Sequence, residues 1–174
     1  MSIVNTLSLE SNRQIKINFD GGDLSSDAGL LLIKEFVSKI GIDRLFSHSF
    51  KTNDSASFRY HTDKDNLLQM IYMIIAGYFE DDASDELTND PVFKAVLDKE
   101  ALASQPTISR FHNRLDEDSL NQFLSISQIL RKKIYSIQMP ESVILDLDST
   151  LLDAYGRQEG RAFNFHYQSN GYHP

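Results

Sequence analysis

The spacing of apolar positions divides the chain into a long stretch with helical periods and a shorter stretch with strand-like alternation. Ile15–Phe19 alternates apolar and polar side chains and predicts a half-buried strand, with a turn at Asp20–Asp23. A helix is expected from about Asp27 to Ile40, capped by Ser25 or Ser26 and closed by Gly41, with Ile33, Phe36, Val37 and Ile40 on its buried face. Residues 47–64 are polar and mixed and read as a loop. Asp63 or Asp65 then opens a helix that is apolar nearly all round, the expected centre of the core. Asp90-Pro91 is a helix start, since Asp caps and Pro tolerates the first helical position, and that helix ends near Asp98. Pro106 opens another. Asp116 or Asp118 caps a long one to about Ile137, with Leu120, Phe123, Leu124, Leu130, Ile134 and Ile137 along one side. Beyond Pro140 the pattern changes. Val143–Asp148 is β-branched and apolar, and Arg161–Gln168 alternates, with Phe163, Phe165 and Tyr167 on one face. With a turn at 156–160, these two runs predict a long β-hairpin.

The fold class that follows is α+β: a strand and turn over 1–24, a mainly helical region over 25–140, and the opening of a sheet over 141–174. A length of 174 residues suits one or two small domains, and 41% hydrophobic with 24% charged residues is the composition of a folded globular chain. The absence of cysteine excludes disulfides, thiolate zinc sites and cysteine nucleophiles together, and fits a reducing cytoplasm. The start shows no basic-then-apolar secretory signal, and the greasiest segment, Leu67–Phe79, is too short to span a bilayer, so no membrane partner is expected.

The net charge of −8 requires any contact with nucleic acid to rest on local charge. One stretch qualifies. Between Ala101 and Arg114 there is no acidic residue. A short helix there places Ile108, Phe111 and Leu115 toward a core. It leaves Gln105, Thr107, Ser109, Arg110, Asn113 and Arg114 as a cationic, hydrogen-bonding set of the kind that meets phosphates and base edges. With the preceding helix it makes a helix-turn-helix candidate; an ordinary amphipathic helix with solvated arginines is the alternative. Arg131-Lys132-Lys133 reads as the exposed side of its helix, with phosphate contact as its alternative, and the five acids of Glu80–Glu86 read as a solvated surface, with metal binding as their alternative.

The second chemical feature is "ILDLDST" at 144–150. On a strand, Asp146 and Asp148 share a face. Two carboxylates there can hold a hard cation such as Mg²⁺, serve as nucleophile and acid/base, or sit solvated at a strand end. The string also resembles the D-x-D-x-T motif of haloacid-dehalogenase-like phosphohydrolases, in which Asp146 would be the nucleophile. That fold needs parallel βα units after its first motif, and 26 residues follow Asp148 here.

Four motifs in order, "LSSDAGLLLIKEF", "GYFEDDASDELTNDPVFKAVL", "LASQPTISRFHNRL" and "LDLDSTLLDAYGRQEGRAFNFHYQSNGYHP", resemble the N-terminal part of bacterial insertion-sequence transposases of the DDE group 1 family. The resemblance implies a helical DNA-binding region before residue 140 and the start of a ribonuclease-H-like catalytic domain after it. It makes Asp148 the first catalytic and metal-binding Asp, with Asp146 as a second metal candidate of unassigned role. It implies Mg²⁺ as the cofactor of the complete enzyme, held by Asp, Asp and Glu, and double-stranded DNA at the element ends as the partner. It further implies a cytoplasmic, nucleoid-associated location in a bacterium. On this reading the chain is an N-terminal fragment, inactive alone. A truncated regulator that self-associates or assembles with a full-length transposase is the alternative.

Overall fold

The computed structural model describes residues 6–19, 26–146 and 150–172. It forms two compact units, residues 1–133 and 134–174, and is of mixed α and β composition.

The first unit opens with an antiparallel pair, β1 (Thr6–Ser8) and β2 (Lys16–Asn18), in which Leu7 stands opposite Ile17. Only β2 is visible in the alternation, because three residues of β1 give too short a period to read. Helix α1 (Leu30–Ile40) starts later than its sequence suggests, since residues 26–29 form a turn and Ser26 bonds to the side chain of Asp27. Ser25 and the expected turn at Asp20–Asp23 lie outside the described residues. The buried face of α1 is Leu30, Leu31, Lys34 and Val37, while Phe36, expected inside, is exposed. Lys34 can sit in that face because its ammonium meets the Ala95 carbonyl and the Asp98 carboxylate, so the buried charge is paired.

Gly41 closes α1 in the left-handed conformation, with φ of 72°, which a β-carbon would strain. The chain re-enters helix at once as α2 (Ile42–Ser49), which the sequence pattern did not assign and whose last residues, 47–49, fall in the expected loop over 47–64; Phe46 is its buried anchor. Helix α3 (Asp63–Ala76) begins with a full capping box. Thr62 accepts from the Asp65 N–H, and the Asp65 carboxylate accepts from the Thr62 N–H. It is the central helix: α1, α2, α5 (Pro91–Leu97) and α6 (Gln105–His112) all pack on it. Between α3 and α5 lie α4 (Ala83–Glu86) and a 3₁₀ turn, Leu87–Asn89. The Asp90 carboxylate accepts from the Val92 and Phe93 N–H groups at 2.8 and 2.9 Å, as the Asp-Pro signal required. Phe93 and Phe111 are completely buried and define the core with Tyr72 and Ile108.

Helix α7 (Glu117–Ile137) starts where Asp116 accepts from the Ser119 N–H. Its Phe123 stacks on Phe50 at 4.6 Å and its Ile126 is buried, but Leu120, Leu124, Ile134 and Ile137 are exposed, so only part of the expected apolar side meets a core.

In the second unit the expected strand over 143–148 is not formed by its described residues. Residues 143–146 are irregular, with Ile144 91% exposed, and Leu147, Asp148 and Ser149 lie outside the described residues. The sheet is instead β3 (Leu152–Asp153), β4 (Ala162–Asn164) and β5 (Ser169–Tyr172), in the order β3-β5-β4, antiparallel throughout. The hairpin joins β4 to β5 across residues 165–168, not 143–148 to 161–168. The expected length failed because Asn164 bends the chain: its carboxamide accepts from the His166 and Tyr167 N–H groups and starts a turn. Gly171 sits against the Leu152 carbonyl, where a β-carbon would collide with it, so β3 and β5 approach closely only because this residue is glycine.

Candidate nucleic-acid interface

Helix α6 is fixed from three sides. Ile108 and Phe111 anchor it in the core. The preceding turn is clamped by Gln69 of α3, whose amide accepts from the Ala103 N–H and donates to the Ala103 carbonyl, both at 2.8 Å and both buried. The acidic segment meets α6 at both ends: the Asp85 carboxylate accepts from the Gln105 N–H at 3.0 Å at its N-terminus, and Asp81 lies 3.4 Å from Nδ1 of His112, its last residue. The acids of 80–86 are thus not simply a solvated surface: two of them hold α6, and Ser84 among them is fully buried.

These contacts sort the six polar residues that the sequence singled out. Thr107 shares its hydroxyl with Ser104 at 3.1 Å and accepts from Arg110 at 3.3 Å. The acid at the head of α6 occupies the helix end that would otherwise attract a phosphate. Arg114 is drawn inward. Its guanidinium donates to Asp63 and to Thr52 Oγ1, lies 3.5 Å from Asp54 and covers the Phe111 ring. Only 15% of that side chain is exposed, so it serves as a brace between α6 and the 50–62 loop. Arg110 and Asn113 are exposed, and Arg110 has no carboxylate partner among the described residues.

A second candidate stretch lies in the loop at 50–62. "SASFRYHT" at 55–62 is also free of acids and alternates aromatic with basic residues, a signal readable beforehand. Folded, it faces α6 across an open cleft of about 280 Å³ lined by Phe58, Arg59, Tyr60, His61, Asn66, Thr107, Arg110 and Arg114. Asp54 pairs with Arg59 through Nε and Nη2, and that bond holds its carboxyl far below the usual carboxylate range. Asp65 is also lowered; burial opposes this, but Lys99 at 2.8 Å and the Thr62 N–H outweigh burial. Burial first, and Lys99 second, push His61 below the ordinary imidazole value, so its ring is neutral at pH 7.

The profile of one protein family, transposase DDE domain group 1, matches residues 7–174. The chain belongs to that family. No curated protein and no solved structure matches it.

The chemistry of this family uses divalent metal ions. Asp146 is an exposed carboxylate on irregular backbone, and Asp148 lies outside the described residues. Among the described residues no three Asp, Glu or His side chains converge to hold a cation, so those residues do not by themselves fit the ion. Among those residues, too, no helix is long and apolar enough to cross a membrane.

Proposed function

We propose that this chain serves DNA transposition of an insertion sequence, with the helical unit binding the double-stranded ends of the element and Asp148 acting as a catalytic, metal-binding carboxylate. The observation that carries the DNA reading is Arg110: a cation without an acid partner among the described residues, on the exposed side of a helix fixed from three sides, in a chain of net charge −8. A helix held this rigidly presents its side chains in one geometry, which recognition of a duplex requires. Asn113 stands beside Arg110 for base-edge or phosphate contact, with Ser109, Thr107 and Gln105 flanking it. Arg114 acts in this scheme by bracing the helix. The second unit, with its short antiparallel sheet, is read as part of the ribonuclease-H-like domain that carries Asp148, and Asp146 as a subsidiary ligand for Mg²⁺.

The test is binding of the full chain to duplex DNA carrying the element ends, at low and moderate salt. Counterion release makes a phosphate-reading protein lose affinity linearly in log salt. Binding that is absent at low salt, or indifferent to Arg110→Ala, sinks the proposal.

A further inference from the structure

The cleft between the 50–62 loop and α6 has a feature that duplex binding leaves unused. Asn66, on the first turns of α3, is 1% exposed, and neither its amide nitrogen nor its amide oxygen has a hydrogen-bond partner among the described residues. Leaving a buried amide unmade costs free energy, and each such group in a folded protein calls for an explanation. Asn66 lines this cleft. An amide sets a donor beside an acceptor, which is the pattern that a nucleobase edge presents in complement.

The other walls agree. Phe58 is 80% exposed and Tyr60 52%, and exposed aromatics on a loop provide faces on which a base stacks. Lys99 already lies 4.9 Å over the Tyr60 ring and bonds to the Tyr60 carbonyl, which fixes that ring's backbone. Arg59 and Arg114 spend their charge on Asp54 and Asp63, whereas Arg110 at the rim is unspent and suits one phosphate. A volume near 280 Å³ is at the small end of ligand pockets, the size for one base and not for a duplex.

We propose that this cleft holds one unpaired nucleotide of a DNA strand, its base edge on the Asn66 amide, its ring against Phe58 or Tyr60, and its phosphate on Arg110. The inference rests on the DNA-binding reading above and adds to it a strand that is locally unpaired. Entry displaces Phe58 and Arg110, surface side chains that change rotamer freely, and leaves the core in place.

The test compares two labelled duplexes, identical except that one carries a single unpaired adenosine, by fluorescence anisotropy with the full chain. The unpaired duplex is expected to bind about tenfold tighter, the scale of one base stacked on an aromatic side chain. Asn66→Leu should erase that preference while keeping affinity for the paired duplex and raising thermal stability, since an unpartnered amide is removed from the interior. Phe58→Ala, at an exposed position that does not threaten folding, should reduce the preference too. Equal binding of the two duplexes by the parent chain overturns the inference and leaves the DNA reading intact. A preference that survives both substitutions also overturns it. Failure to bind either duplex removes both. Free adenosine monophosphate competing at the cleft while the duplexes bind alike replaces the strand with a free nucleotide and overturns the assignment as stated.

Discussion

Gln69 of α3 and Ala103 of the turn before α6 are joined by two hydrogen bonds, one in each direction, in the interior of the helical unit. Ala103 is completely buried, so its backbone N–H and carbonyl have no water to fall back on. Gln69→Leu replaces the amide with an apolar group of similar volume and orphans both backbone groups. A loss of stability of about 1–3 kcal/mol per orphaned group is expected, read as a lower urea midpoint with an unchanged slope. The same change should weaken DNA binding more than stability alone explains, because the turn that aims α6 is released. A Gln69→Leu chain with the parent's midpoint would show that Ala103 finds other partners.

Arg110 and Arg114 are four residues apart and play opposite parts. Arg114→Ala breaks contacts to Asp63, Asp54 and Thr52 in a largely buried position and should lower thermal stability clearly. Among the described residues the Arg110 guanidinium bonds only to the Thr107 hydroxyl, so with Arg110→Ala stability should stay within about 0.5 kcal/mol of the parent. On the DNA-binding proposal its effect falls on affinity instead: about 1–3 kcal/mol for a base contact, or a salt slope smaller by about one for a phosphate contact. Thermal melts and salt-dependent binding of the two single variants check the division of roles. Equal effects of both on stability would refute it.

Acid should destabilise the helical unit in two steps. His61 has a folded pKa below its unfolded value of about 6.5. As pH falls through that value the unfolded chain takes up a proton that the folded chain refuses, and stability drops until the folded pKa is passed. Asp54 and Asp65 are depressed below the ordinary carboxylate value of about 3.9. Their contribution is present above that value and disappears as pH falls through the lower folded values. Urea midpoints across pH 7.5, 5.5 and 3.5 should therefore fall in both intervals, and His61→Gln should flatten the first alone. A parent midpoint unchanged between pH 7.5 and 5.5 would contradict the placement of His61.

Local codes in the sequence were legible and long-range choices were not. The Asp90-Pro91 start, the Gly41 stop and the start near Asp63 depend on a few neighbouring residues, and each appears where its chemistry demands. The face of α1 was misjudged because "LLLIKEFVSKI" offers two apolar stripes. Packing against α3 and α5 decides between them, and it buries Lys34 by supplying Asp98 from 64 residues away. Helix α2 was missed although Ile42, Leu45 and Phe46 have helical spacing, since the polar residues around them dominated the composition. For the candidate site, Arg110 was recoverable from an acid-free stretch, whereas the inward turn of Arg114 needed Asp54 and Asp63 in space. The strand expected at 143–148 rested on β-branched content alone, and β-propensity expresses packing partners that residues 143–146 do not have.

The second unit should be the first to be cut by protease. Its described apolar side chains are largely uncovered, including Leu145 at 83% and Phe165 at 81%, and its strands are two to four residues long. Few buried contacts and short strands mean a low free energy of local opening. Trypsin should cut at exposed Arg157, in the bend before β4, ahead of sites within the helical unit, leaving that unit as the lasting fragment. A digest that removes residues from α1 or α3 first would reverse the expected order.

On the transposition proposal, Asp148 and Asp146 should separate under substitution in a cleavage-competent transposase that carries this chain. If Asp148 is a catalytic carboxylate, Asp148→Ala removes a charged oxygen ligand, and strand cleavage at the element ends should fall to background. Asp146→Ala should cost less, because a subsidiary ligand can be replaced by water on a Mg²⁺ ion that normally retains several. Binding of both variants to end DNA should match the parent, since Arg110 and Asn113 belong to the other unit. The measurement is cleavage of a labelled end duplex in the presence of Mg²⁺, with binding recorded on the same preparations. A phosphohydrolase built on "DLDST" predicts the reverse. There Asp146 attacks phosphorus, small phosphate esters turn over without DNA, and Asp146→Ala is the silent variant. Turnover of such an ester by the chain, lost in Asp146→Ala, would remove Asp148 from its proposed role.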